Sequence, residues 1–193
     1  MRYPKDHKKH ARAAILAAAA HTLKEKGFQG VGVDGLAASA QVTSGALYSN
    51  FGSKEAFLEQ VVDEQLGAQF AGIDDPDPAE RRRRLREMLG LYLSDNHRED
   101  VAHGCLMPAL SEDVSRAGDS VREAYRRRML ELVALLTPAM QGPPEDREKQ
   151  AWAVVATIVG AVTVARALPA GDQAKAVLDA ALDHAMKAIT DTP

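Results

Sequence analysis

The most constraining stretch of this 193-residue chain runs from Val33 to Phe51, where two apolar patterns of helical period, each about two turns long, flank a two-residue turn. Val33, Leu36, Ala37 and Ala40 fall at i, i+3, i+4 and i+7 and predict a short helix ending near Gln41. Val42 and Thr43 form the turn. Thr43 is a suitable N-cap for a second short helix, Ser44 to Asn50, whose Leu47 and Phe51 face inward, with Gly52 closing it. A longer helix precedes them, from Lys8 to Lys26, with Ile15, Leu16, Ala19, Ala20 and Leu23 as its apolar positions. It stops at Gly27, which can take the left-handed conformation while Phe28 folds back on Leu23. Two short helices behind a longer one, joined by a tight turn, have the geometry of a tri-helical helix-turn-helix.

The rest of the chain also reads as helix. Ser53 caps a fourth segment, about 54–71, in which Phe57, Leu58, Val61, Val62, Leu66 and Phe70 form one stripe. Asp74-Asp75-Pro76-Asp77-Pro78 cannot continue it and serves as a connector. A fifth helix carries Leu85, Met88, Leu89, Tyr92 and Leu93, and a sixth, interrupted by Pro108, spans Val101 to Glu112. Ser120 with Glu123 reads as a capping box for a seventh. The eighth bears Trp152 to Thr163 and ends before Pro169 and Gly171, and the ninth runs from an Asp172 cap to Thr190. No strand-like alternation occurs, so the expected fold is all-α with about nine helices: a head, residues 1–53, and a body, residues 54–193, with the fourth helix as connector.

Charge is distributed unevenly. Residues 1–56 hold eight Lys/Arg against four acids, a net of +4, so the remainder carries −7 of the overall −3. A basic head on an acidic body suggests that only the head meets a polyanion. The lone Cys105 excludes an internal disulfide and fits a reducing cytoplasm. The charged N-terminus lacks the apolar run of a signal peptide, and no stretch of about 18 apolar residues occurs, so neither export nor a membrane partner is expected.

On the second short helix, with Leu47 and Phe51 inward, the wheel turns Gly45, Ala46 and Ser49 outward and leaves Tyr48 and Asn50 on the flanks. Small residues let the backbone approach base edges, Thr43 and Ser44 offer hydroxyls at the helix N-terminus, and Tyr48, Asn50 and Lys54 suit phosphates. An arm bearing Arg2, Lys5, Lys8, Lys9 and Arg12 can reach along the DNA backbone or into a minor groove.

In order and spacing, Gly27-Phe28, Leu36-Ala37 and the run from Val42 through Tyr48, Phe51, Gly52 and Lys54 to Phe57 closely resemble the signature of the TetR family of transcriptional regulators. The resemblance implies a nine-helix fold, a homodimer, a palindromic double-stranded operator and repression relieved by a small ligand, with no enzymatic activity. It places Thr43, Ser44, Gly45, Ala46 and Ser49 at bases and Tyr48, Asn50 and Lys54 at phosphates. Three positions depart from the pattern: Gly32 stands at the usual Ser/Thr cap, Gln41 at the usual turn glycine, and Asn50 where histidine is frequent.

In the body, the eighth and ninth helices are apolar around more than one face, which predicts a two-fold four-helix bundle between two copies, with Gly160, Ala161 and Ala165 permitting close crossing. Phe70, Met88, Tyr92, Cys105, Met107, Tyr125, Met129 and Trp152 are candidates for lining an effector pocket, and their character fits a small, largely apolar ligand. Each also reads as core. Cys105 is either a small buried residue or a thiol sensor activated by His103 or a helix N-terminus. His97, Asp100, His103 and Cys105 match no strong metal-site spacing, and neither metal nor cofactor is expected. The Arg81–Arg84 run reads as a solvated helix face.

Overall fold

The computed structural model describes residues 5–189. Ten α-helices follow in order: α1 (Lys5–Lys26), α2 (Val33–Ser39), α3 (Ser44–Phe51), α4 (Lys54–Gln65), α5 (Pro78–Tyr92), α6 (Asp95–Glu99), α7 (Leu106–Ser115), α8 (Asp119–Leu136), α9 (Pro144–Ala167) and α10 (Asp172–Lys187). Two 3-10 segments, Ala68–Ile73 and Thr137–Ala139, complete the helical structure, and no strand occurs among the described residues. The all-α expectation holds. The helix beyond the nine expected is α6, a single turn that Ser94 starts by accepting from the His97 amide. Too short to show an apolar period, it has no sequence signature beyond that cap.

The chain divides into two compact units. One takes in the described residues up to Leu66 together with Val101–Arg126; the other takes in Gly67–Asp100 and the described residues from Arg127. In the first, α1 packs on α2, α4 and α7, and α3 on α2 and α4. Its core is built from Leu16, Leu23, Leu36, Leu47, Phe57 and Leu58, all essentially inaccessible to solvent. Burying a side chain of this size contributes roughly 1.5–3 kcal/mol, so this core anchors α3 through Leu47.

In the second unit α9 pairs with α10 along most of its length. By length and composition α9 would suffice to cross a membrane. Its buried residues, Ala151, Val154, Val155, Ile158, Ala161, Val162 and Ala165, instead form one face of a packed helix. Pro144 occupies its first turn, where a missing amide hydrogen costs nothing.

Four expected helix boundaries are corrected. The sixth expected helix begins at Leu106 rather than Val101 and runs unbroken through Pro108 to Ser115. The fourth helix does not run to residue 71: α4 ends at Gln65, Gly67 turns left-handed with φ +77, and Phe70 lies in the 3-10 segment. Phe70 still reaches the core because a left-handed break followed by a tighter helix preserves its inward side. Ser120 is not the cap of its helix, since α8 starts at Asp119 and the Glu123 carboxylate pairs with Arg126 at 2.6 Å. Asp172 likewise lies inside the first turn of α10, where it complements the helix dipole, and the cap position belongs to Gly171 at φ +145. Thr190, the expected end of that helix, lies outside the described residues.

Candidate nucleic-acid interface

Local chemistry holds α3 in place at both ends. Thr43 adopts an extended conformation and its Oγ1 accepts from the Ala46 amide at 3.1 Å; Ser53 does the same for α4, accepting from Ala56 at 2.9 Å. Both caps satisfy amides that a helix start otherwise leaves unpaired, each worth about 1 kcal/mol. Gly52, at φ +82, supplies the left-handed residue that lets the chain turn between the two helices. Gln41 sits at φ +56, the one non-glycine left-handed residue among those described, so the turn keeps the backbone a glycine would give it and holds some strain. Gly32 starts α2 with no side-chain cap bond.

Leu47 and Phe51 are buried, with Phe51 edge-on to Phe57 at 5.0 Å between centroids. The opposite face carries exposed Gly45, Tyr48 and Ser49, with Ala46 and Asn50 half-buried beside them. Tyr48 is 48% exposed, a large aromatic with no packing reason to face solvent. Gly45 and Ser49 face outward as the helical wheel predicts, whereas Ala46, expected outward, is half-buried and Tyr48, expected on the flank, is exposed.

Most polar side chains on this face already have partners within the head. Ser44 Oγ donates to Asp34 Oδ1, Ser49 Oγ to Ala46 O at 3.0 Å, and Asn50 Nδ2 to Ala46 O at 2.8 Å. Lys54 Nζ donates to Phe28 O and lies 4.2 Å from the centre of the Phe28 ring, so its charge stands on the loop that ends α1. Arg12, expected as part of a reaching arm, instead turns inward: its Nε donates to Asn50 O at 3.2 Å and its guanidinium covers Phe51 at 4.8 Å. Arg2 lies outside the described residues, as do the side chains of Lys5, Lys8 and Lys9. Asp34 is the residue that sequence reasoning missed. An acid in the first turn of a helix is ordinarily read as complementing the helix dipole, so nothing local signalled its bond to Ser44.

The effector candidates divide between the units. Cys105, Met107 and Tyr125 belong to the first. There Cys105 and Met107 are buried, the Cys105 sulfur accepts from the Met107 amide at 3.4 Å, and the Tyr125 hydroxyl bonds Ser111 Oγ at 2.7 Å. Burial, and then the neighbouring Cys105, push the Tyr125 phenol above its ordinary pKa, against the Ser111 bond that lowers it. Met88, Tyr92, Met129 and Trp152 belong to the second unit. Phe70 stacks obliquely on Tyr92 at 5.7 Å and, with Met88, Ile73 and Leu91, lines an open cavity of about 230 Å³. Met129 is buried and Trp152 exposed. No group of three or more His, Cys, Asp or Glu among the described residues is placed to hold a metal ion.

Three arginines of the Arg81–Arg84 run are paired with acids: Arg81 with Asp74, Arg83 with Glu80 and Glu87, and Arg84 with Asp75 and Glu80.

An all-helical chain that presents a capped, small-faced second helix of a helix-turn-helix has the architecture by which DNA-binding proteins place a helix in the major groove. Residues 15–61 match the family model described as bacterial regulatory proteins, tetR family. The HTH-type transcriptional repressor NemR of Escherichia coli K12 is 26% identical over 144 residues, 72% of each chain. The crystal structure of the reduced form of that NemR superposes with a TM-score of 0.72 at 23% identity, over 95% of this chain and 98% of the other. A TetR-family regulator from Agrobacterium tumefaciens superposes at 0.73 with 20% identity, over 95% and 99%. Residues 15–61 therefore match the DNA-binding domain of the tetR family, and the chain shares the fold of TetR-family regulators.

Proposed function

We propose that the chain is a cytoplasmic, homodimeric repressor that reads a palindromic operator through α3 and leaves it when a small, largely apolar effector binds. The observation that carries the DNA reading is the outward face of α3: Gly45, Tyr48 and Ser49 are exposed on a helix whose two buried anchors and Thr43 cap fix its direction. In this reading Thr43, Ser44, Gly45, Ala46 and Ser49 approach bases, and Tyr48, Asn50 and Lys54 approach phosphates. Few of these side chains can make bidentate base contacts, so affinity depends on phosphates and on doubling in a dimer.

For the dimer, the support is a stripe on α9 that the protomer leaves uncovered: Trp152, Ala156 and Gly160 at intervals of four, followed by Thr163 and Val164, all exposed. A Cβ added at Gly160 would meet nothing within 4 Å, so the protomer's own packing does not demand glycine there, whereas a second helix crossing closely would. Pairing α9 and α10 with their copies would make a two-fold four-helix bundle, and a two-fold dimer carries two recognition helices, as a palindromic operator requires. For the effector, the support is the open cavity of the second unit, whose apolar lining of Phe70, Ile73, Met88 and Leu91 includes two of the candidates expected from the sequence, Phe70 and Met88. This assigns the chain a regulatory rather than a catalytic role.

Fluorescence anisotropy of a labelled duplex drawn from the DNA flanking the gene tests this reading. Saturable binding is expected, and small apolar compounds that raise the melting temperature of the free protein should lower its affinity for the duplex, since a ligand preferring one of two states shifts the other equilibrium. Stabilising compounds that leave DNA affinity unchanged would contradict the release step; absence of any bound duplex would contradict the DNA step.

A further inference from the structure

We infer that Asp34 determines which base edge Ser44 accepts, by committing the serine hydroxyl as an acceptor; this rests on α3 being the base-reading helix. Ser44 Oγ donates its hydrogen to Asp34 Oδ1 across the turn between α2 and α3. An ionised carboxylate only accepts, so that hydrogen is not available to DNA and the hydroxyl retains lone pairs alone. Ser49 is in the same state, its hydrogen given to Ala46 O at 3.0 Å. Thr43 is the reverse: its Oγ1 accepts from the Ala46 amide at 3.1 Å and keeps its hydrogen to donate. The N-terminal turn of α3 therefore presents a defined sequence of polarities in place of freely rotating hydroxyls.

In the major groove adenine and cytosine offer an amino donor, N6 and N4, whereas guanine and thymine offer carbonyl acceptors, O6 and O4. An unconstrained serine serves either kind, because its hydroxyl rotates. With Asp34 in place, Ser44 pairs with an amino group and repels a carbonyl, and the exposed Asp34 carboxylate reinforces that repulsion with its charge. Asp34 is thus a specificity-determining residue that acts through Ser44. A generic acid at the start of α2 would support the helix dipole without any bond to α3, so base preference, and not stability, is the property that separates the two roles.

The test uses the full-length protein and duplexes enriched by it from a random pool, followed by duplexes with every base pair of the enriched site exchanged singly. The variants are D34A and S44A, with helical content checked by circular dichroism. The Ser44 position is defined as the pair whose preference changes in S44A. There wild-type binding should depend on the amino group of the pair: an analogue of adenine or cytosine lacking that group should weaken binding about tenfold, and an analogue of its partner lacking the carbonyl should not. D34A should reduce that discrimination to about twofold or less while leaving the other pairs as in the wild type, the result expected when a serine regains rotation. Loss of binding on removing the carbonyl but not the amino group at that pair, a preference indifferent to D34A, or no pair sensitive to S44A would each overturn the inference. Failure to enrich any duplex would instead remove the DNA reading on which it rests.

Discussion

The ammonium of Lys24, buried near the end of α1, donates to the carbonyl oxygen of Gly104 at 3.0 Å, joining residues 80 positions apart next to Cys105. Phe28 N adds a second link, donating to Asp113 Oδ2 at 3.2 Å, and Gly118 N a third, donating to Glu55 Oε1 at 2.6 Å. The helix-turn-helix is therefore clasped by residues of the 101–126 segment within one compact unit. Any event that shifts this segment acts on the helices that carry α3.

Replacing Lys24 with Met keeps the buried stem but leaves the Gly104 carbonyl without this donor. The loss should cost about 1–3 kcal/mol, read as a lower thermal midpoint. Because Cys105 is buried and its sulfur accepts from Met107 N, alkylation in the native wild type should be slow and should accelerate in K24M. An unchanged midpoint and alkylation rate would show that the clasp carries no energy.

Lys54 has two connections to Phe28, a hydrogen bond to its carbonyl and a place over its ring. If Lys54 also meets a phosphate, K54A should flatten the dependence of log K on log salt by about one unit. It should also lower the thermal midpoint through loss of the cation–π contact, worth about 0.5–1 kcal/mol. A lower midpoint with an unchanged salt slope would assign Lys54 to the α1 stop alone.

Val164 is 50% exposed on the uncovered stripe of α9. Glutamate at this position buries an unpaired charge only if a second copy covers it. Sedimentation of V164E should show a shift from dimer to monomer with the helical content unchanged. A dimer of wild-type strength would move the interface elsewhere.

The Glu80 carboxyl is lowered from its ordinary 4.5 to about 2, first by the hydrogen bond from Arg83 and then by that from Arg84. An acid depressed in the folded state stabilises it above pH 4.5 and loses that contribution as pH falls toward 2. The difference in thermal midpoint between wild type and E80Q should therefore be constant at neutral pH and shrink across that window. The group is fully exposed, so the difference will be small and should fall further with added salt. A difference that grows on acidification would contradict the pairing.

Features set by neighbouring residues were legible in the sequence. The caps at Thr43 and Ser53 and the stop at Gly27, φ +73, follow from side chains or missing side chains at fixed offsets, and each appears where expected. The inward pair Leu47 and Phe51 follows from periodicity. Gly67 was not legible as a break because Phe70 continues the apolar spacing of α4, and a single glycine does not by itself end a helix. Ser120 and Asp172 were each read as caps because a polar residue one position inside a helix looks like one at its edge. Pairings such as Lys24 with Gly104, or Asp34 with Ser44, depend on how separate helices meet. Neither periodicity nor propensity encodes that meeting.

The central claim, that the outward face of α3 reads DNA, is tested most directly by nuclease protection of the flanking DNA with wild type and G45E. A Cβ at Gly45 would come no nearer than 3.8 Å to Thr43 Oγ1, so the helix accommodates the substitution while presenting a negative charge outward. The prediction is a two-fold-symmetric footprint with wild type and none with G45E, at equal helical content. A footprint that survives G45E unchanged would contradict the assignment of α3.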